Sequence, residues 1–564
     1  MRRLFLPVVA AFLGMSDAAT PYVMNWSSQA YGPDGPWQAV TIEIGSNKQP
    51  VALYPGANYA STILLESICS NKTLSSTCYA AQAGTYNQTE STSAYVVSAA
   101  SSWETVYWAV EGGGLEGVIG DQFNFGPTVP NVSIQAVHQT YETYPNGKAY
   151  PVQVGNLALG GPYSGDTVDN ATLNMIASWL YTYGGENAIP SYSYGMHIGS
   201  VTPAIAGSLV LGGYDKSRVL GDVSSQSVSL NSDTSGELQI VMKDIGLGLA
   251  GGASPSGFTS KDGLFLQSNG STLPQMVTID PTKPYMYLPG ATCDAITSSL
   301  PISFNQSLGL YFWDTTDSNY TNITSSATYL SFVFDTDGAS NQNTTVKIPL
   351  AQLALTLQEP LVEENVTYFP CFLSSATPVL GRAFLQAAFV GVNWLGGDNT
   401  GTWFLAQAPG PALSNTNIIA IDADSTTLSG SNSSWEQSWA KYWNLGDSTS
   451  SNSTSSSGGQ SSSGGQSTGS SGGLSTGAKA GIGVGVAVVG VTLIAAAVWF
   501  LILRRRGQNA SVDETIDESK PSFETAIKPP TSSLEGPLRE LDANHAVQPH
   551  ELNSAVETPR YELD

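Results

Sequence analysis

Two short loops hold the residues whose types could do chemistry. In "QMVTIDPTKPYMYLP", residues 275–289, an apolar run ends on Asp280, followed by Pro281 and Thr282; in "QPVALYPGANYASTIL", residues 49–64, a similar run ends on Tyr54, followed by Pro55 and Gly56. Two carboxylates that face each other and share a proton can activate a water with one member and act as acid with the other. A phenol cannot stand in for either, because its pKa of about 10 keeps it protonated at acidic and neutral pH. The two loops therefore offer one acid, Asp280, and one residue, Tyr54, that is inert in that chemistry. Their shared layout predicts two related halves, each with a sharp turn at its proline and a later apolar-apolar-Gly element. Those elements are Val118-Ile119-Gly120 in the first half and Val379-Leu380-Gly381 in the second.

Holding such loops takes a scaffold of strands. From about Tyr22 to Pro409 the chain is a series of short β-like runs broken by Gly, Pro, Asn and Asp: "WQAVTIEIG", "TVYWAVEGGGLEGVIG", "GSLVLGGYD", "GELQIVMKDIGLGL", "YLSFVFDT" and "TWFLAQAP". Close spacing of this kind predicts a mainly β core with short helices. The clearest helix candidate is "NATLNMIASWLYTYG", where Leu173, Ile176 and Leu180 share one face. At 564 residues the chain exceeds what one hydrophobic core usually serves.

In order and spacing these segments resemble the pepsin-like aspartic peptidase family. "VTIEIGSNKQPVALYPG" is similar to the strand pair leading into the family's first Asp-Thr-Gly, "SICSNKTLSSTCYA" to its small disulfide loop, and "PSYSYGMHIG" with "GSLVLGGYDKSRVLGD" to the end of its first lobe. "PVLGRAFLQAAFV" resembles the matching segment of the second lobe. The resemblance covers roughly residues 22–409. It implies a bilobal fold, with a cleft between two pseudo-twofold-related β-lobes at 19–225 and 226–410. It also places the first Asp-Thr-Gly at Tyr54-Pro55-Gly56 and the second at Asp280-Pro281-Thr282, so one carboxylate and both threonines are missing and Thr282 stands for a glycine. Counting back from Gly120, the substrate-covering flap falls around Tyr107, Trp108 and Val110, with Gly112, Gly113 and Gly114 suited to a hairpin tip.

The expected function is that of a catalytically degenerate member whose cleft still binds a peptide or glycan chain. The alternatives are an acid endopeptidase built on Asp280 with Asp121, Glu111 or Glu116 as its second acid, and a structural wall or coat protein.

The remaining segments set the expected address. Residues 1–18 read as a secretory signal, with Arg2 and Arg3 before an apolar stretch and small residues at Ser16 and Ala18. Residues 480–503 carry no charge, are long enough to cross a bilayer and are followed by Arg504, Arg505 and Arg506. This predicts a type I membrane protein of the plasma membrane or another secretory-pathway membrane. A linker at 411–447 and a Ser/Gly-rich stalk at 448–479 lead to the span. The tail, 504–564, has a composition that predicts disorder, and its partner is unknown.

Thirteen Asn-x-Ser/Thr sequons lie before the span, including Asn25, Asn71, Asn131, Asn319, Asn322 and Asn365, and they predict a glycosylated surface. Four cysteines allow three pairings, of which Cys69–Cys78 and Cys293–Cys371 are expected. No Cys-x-x-Cys or His-x-x-x-His spacing is present, and neither a metal nor another cofactor is expected. A net charge of −24 argues against a nucleic-acid partner.

Overall fold

The computed structural model describes residues 19–443, apart from 71, 108–109, 163–164, 169–170, 230–235, 253, 256–259, 337–341 and 414. The signal, the stalk, the membrane span, the tail and Trp108 lie outside the described residues. Among the described residues no helix is long and apolar enough to cross a membrane.

The chain is mainly β. An eleven-stranded sheet is drawn from Trp26–Asn174, and an eight-stranded sheet from Leu238–Leu380. A six-stranded sheet joins the two parts: Ser193–His197 pairs antiparallel with Ala388–Asn393, which pairs with Thr402–Gln407 and through it with Leu220–Ser227. Its strands Ser208–Leu211, Ala388–Asn393 and Thr402–Gln407 are buried along their whole length. Other strands bury a single face. In Thr328–Asp335, "TYLSFVFD", Leu330, Phe332 and Phe334 point inward while Tyr329, Ser331 and Val333 are half-exposed, as the two-residue period of a strand requires. Burying each of these large apolar side chains stabilises the fold by roughly 1.5–3 kcal/mol before the entropy of ordering is subtracted.

The two halves repeat one local topology. In the first, Gln49–Ala57 runs parallel to Gly155–Ala158; the next strand, Ser61–Leu64, is antiparallel to Gly155–Ala158 and parallel to Thr128–Thr143. In the second, Gln275–Ile279 runs parallel to Val379–Leu380; the next strand, Met286–Leu288, is antiparallel to Val379–Leu380 and parallel to Cys371–Leu373. The predicted repeat thus exists, but with a different partner in the first half. The strand that takes the place of Val379–Leu380 in the first half is Gly155–Ala158. Val118-Ile119-Gly120 lies instead in the hairpin strand Val110–Asn124, paired with Tyr95–Tyr107 and Thr128–Thr143.

Three local expectations change. Tyr54-Pro55-Gly56 is not a sharp turn: the strand continues through Pro55, whose fixed φ suits extended backbone, to Ala57. Gly112, Gly113 and Gly114 are not a hairpin tip; they lie inside the strand Val110–Asn124, opposite Glu142, Tyr141 and Thr140 respectively. Close packing of the neighbouring strand accounts for the glycines. A Cβ on Gly113 would stand 2.5 Å from the Tyr141 hydroxyl oxygen, and one on Gly114 would stand 2.1 Å from the Gln139 carbonyl oxygen. The helix candidate divides into a strand, Ala171–Asn174, and a helix, Ile176–Tyr183, because Leu173 is buried in a sheet rather than on the helix face.

Much of the segment read as a linker is also folded. Ile418–Ala420 pairs with Gly213–Asp215, and Trp435, Trp439 and Trp443 are buried against Ile205, Leu220 and Ala327. Both expected disulfides form, with Cys293–Cys371 fastening the helix Gly290–Thr297 to the strand Cys371–Leu373.

Candidate functional site

Asp280 leaves the sheet directly after Gln275–Ile279. Its Oδ1 accepts from the Thr282 backbone N–H at 2.9 Å and from the Thr282 hydroxyl at 2.6 Å, an Asx turn that holds the carboxylate half-buried at the floor of a cleft. Thr282, which stands where the resemblance calls for glycine, therefore orients the acid.

Tyr54 faces elsewhere. It is 5% exposed, does not line the cleft, and donates from its hydroxyl to the Tyr31 carbonyl oxygen at 2.8 Å. Burial pushes its phenol far above the usual tyrosine range, so it stays protonated. Gly32, at φ +95°, approaches so closely that a Cβ there would stand 2.5 Å from the Tyr54 hydroxyl oxygen.

The face of the Tyr54 ring is covered by Arg382, whose guanidinium carbon is 4.1 Å from the ring centroid and 5.3 Å from that of Trp37. Arg382 comes from the other half and binds the second loop: Nη1 donates to the carbonyl oxygens of Pro281 at 3.1 Å and Thr282 at 2.8 Å. Its counter-charge is Asp34, with Nη2 at 3.9 Å from Oδ2, and Asp34 Oδ1 accepts from Trp37 Nε1 at 2.8 Å. Burial pushes the Asp34 carboxyl up, and Arg382 opposes that. The Asp34 carbonyl oxygen accepts from the Tyr368 hydroxyl; Tyr368 packs edge-on against Tyr285, and the Tyr285 and Tyr144 hydroxyls are 2.8 Å apart. The loops also touch directly, since a Cβ on Gly56, at φ +124°, would stand 2.3 Å from Pro281 Cγ.

In front of this buried seam lies a cleft of about 740 Å³, walled by both halves and lined by Tyr59, Trp103, Tyr144, Tyr285 and Tyr287 among others. It lies in the upper part of the ~300–1,000 Å³ range usual for ligand sites. Neither Tyr54 nor the two tyrosines of the second loop closes it.

Beside Asp280, its described lining carries the carboxylates of Glu116, Glu142 and Glu237. Burial raises Glu142, helped by the charge on Asp34 and opposed by Lys283 and Arg382. Burial alone raises Glu116. Lys283 is pushed down by burial and held up by Asp280 and Glu142.

Of the second acids considered from sequence, Asp121 is excluded from the cleft. It is buried in the sheet, where its carboxylate accepts from Tyr86, from Ser93 Oγ at 2.5 Å and from the Gln122 N–H at 2.8 Å. Glu116 is in the cleft, and the Glu111 side chain lies outside the described residues. Of the flap residues, Tyr107 and Val110 pair across the hairpin, and their side chains lie outside the described residues. Gly112 and Gly113, expected to cover the cleft, are held between two strands, pairing with Thr105 and Glu104 on one side and with Glu142 and Tyr141 on the other; neither belongs to the described lining.

Sequence reading missed Asp34, Glu142, Lys283 and Arg382. Only Arg382 carried a signal, as a lone cation inside the apolar run "PVLGRAFLQAAFV". No protein-family model matches the chain, and no curated protein matches it.

Proposed function

We propose that the chain is a non-catalytic member of the pepsin-like aspartic peptidase family: a two-lobed ectodomain on a type I membrane anchor that binds a peptide or glycan chain in its cleft. The observation that carries this reading is Tyr54. It occupies the first dyad position but is turned into the protein, hydrogen-bonded to Tyr31 and covered by Arg382, while the cleft in front of Asp280 stays open. With Tyr54 at that position, Asp280 has no carboxylate on the paired loop with which to share a proton, so the water-activating chemistry of a facing aspartate pair lacks its second half. The repeated strand topology around both loops supports the family reading, and the two disulfides suit an oxidising, secretory address.

The test is proteolysis of a denatured protein by the purified full chain between pH 3 and 6, beside Asp280→Asn. Neither protein should cleave; cleavage that vanishes in the variant would restore the endopeptidase. Tyr54→Asp should not create activity either, because the new carboxylate would lie against the Arg382 guanidinium and pair with it rather than with Asp280.

A further inference from the structure

The charges around the cleft are one-sided. Glu116 and Glu142 stand on the strands Val110–Asn124 and Thr128–Thr143 of one half; Glu237 and Asp280 stand beside the strands Leu238–Leu249 and Gln275–Ile279 of the other. Against these four carboxylates the described lining holds one ammonium, Lys283, whose charge Asp280 and Glu142 both favour.

From this arrangement we infer that the cleft takes an extended peptide carrying lysine or arginine side chains. The inference rests on the ligand-binding reading above and names the ligand's chemistry.

Three considerations lead to it. First, any occupant strips water from carboxylates on both walls, and an uncharged occupant gives nothing back for that lost hydration. Glu116 and Glu142 already feel this cost, since burial raises both. A cation beside either carboxylate offsets it.

Second, the carboxylates are dispersed. Among the described residues no three His, Cys, Asp or Glu side chains converge as a metal ion would require. The counter-charge must therefore be distributed along a chain rather than concentrated at a point.

Third, Tyr59 and Trp103 line the same space and offer ring faces and apolar surface to the stems and heads of long basic side chains. The net charge of −24 adds long-range attraction for a basic partner.

The experiment uses the full chain in detergent and fluorescence polarisation with four labelled probes. These are an alternating Lys-Ala peptide, its twin with Gln for Lys, its twin with Glu for Lys, and a neutral oligosaccharide. The lysine peptide should bind about tenfold or more tighter than the glutamine twin, lose affinity in high salt, and leave the glutamate twin unbound. Glu142→Gln combined with Glu237→Gln should weaken the lysine peptide by about fivefold or more while leaving the glutamine twin unchanged. The comparison of peptides on the unaltered chain holds even if that variant folds poorly.

Equal or tighter binding of the glutamine twin or the oligosaccharide overturns the charge inference and leaves the ligand-binding reading standing. Failure of the lysine peptide to bind also overturns the inference. Cleavage of the bound peptide, read by mass spectrometry, overturns the non-catalytic reading instead.

Discussion

Tyr54 and Asp280 stand at matching places in two copies of one strand arrangement, the first inside and the second just beyond a strand that runs parallel to a short partner. Their side chains go opposite ways. At Tyr54 the backbone remains a strand through Pro55, so the phenol stays in the sheet's buried register and the next residue, Gly56, meets Pro281. At Asp280 the strand has ended, and an Asx turn closed by Thr282 holds the carboxylate at the cleft. One strand arrangement thus holds a buried phenol in one half and a half-buried carboxylate at a cleft in the other. The two halves are tied at this point: Arg382 covers Tyr54 and holds the carbonyls of the Asp280 loop at the same time.

The comparison can be broken most severely at Arg382. Arg382→Met removes the counter-charge of the buried Asp34 and two hydrogen bonds to the second loop, and should cost about 3–5 kcal/mol in denaturant unfolding. Arg382→Lys should recover little of this, because a single ammonium cannot reproduce the planar fork that reaches both carbonyls and the carboxylate.

Gly56→Ala comes next. With φ at +124° and Pro281 2.3 Å from the new Cβ, it should destabilise by about 2–3 kcal/mol, read as a fall in melting temperature. Gly290→Ala, in the helix that follows the second loop, has its nearest neighbour at 3.7 Å and serves as the tolerated counterpart.

Tyr54→Phe tests the hydroxyl alone. It leaves the Tyr31 carbonyl without its donor and should cost about 1 kcal/mol, with no change in ligand binding because Tyr54 is behind the cleft. A large loss of binding would place Tyr54 in the ligand site and erase the contrast between the loops.

The smallest stability effect belongs to Asp280→Asn. The amide oxygen still accepts from Thr282, so the change should stay within about 0.5 kcal/mol and appear in binding rather than in unfolding.

What could be read along the chain was local. Runs such as "YLSFVFDT" marked strands, the cysteines marked two closures, and the two loops showed by their residue types that only one carried an acid. These follow from backbone period, turn chemistry and the reference acidity of single side chains, which need no knowledge of the neighbours.

The tertiary structure decided the pairings. "GVIG" and "NLALGG" are equally good apolar strands ending in glycine, and only the assembled sheet selects Leu157 rather than Val118 to run beside Pro55. Gly113 makes the same point: a glycine run reads as a turn until Tyr141 and Gln139 arrive beside it and leave no room for a side chain. The same holds for Arg382, whose partners Asp34, Trp37 and Tyr54 lie far from it in the chain, and for Glu142, one of several acids in its strand and hairpin until the cleft forms around it. Strand partners share only a period and a hydrophobicity, so which segments meet is settled by mutual packing and by the burial of charges that must find each other. That information exists only in the folded chain.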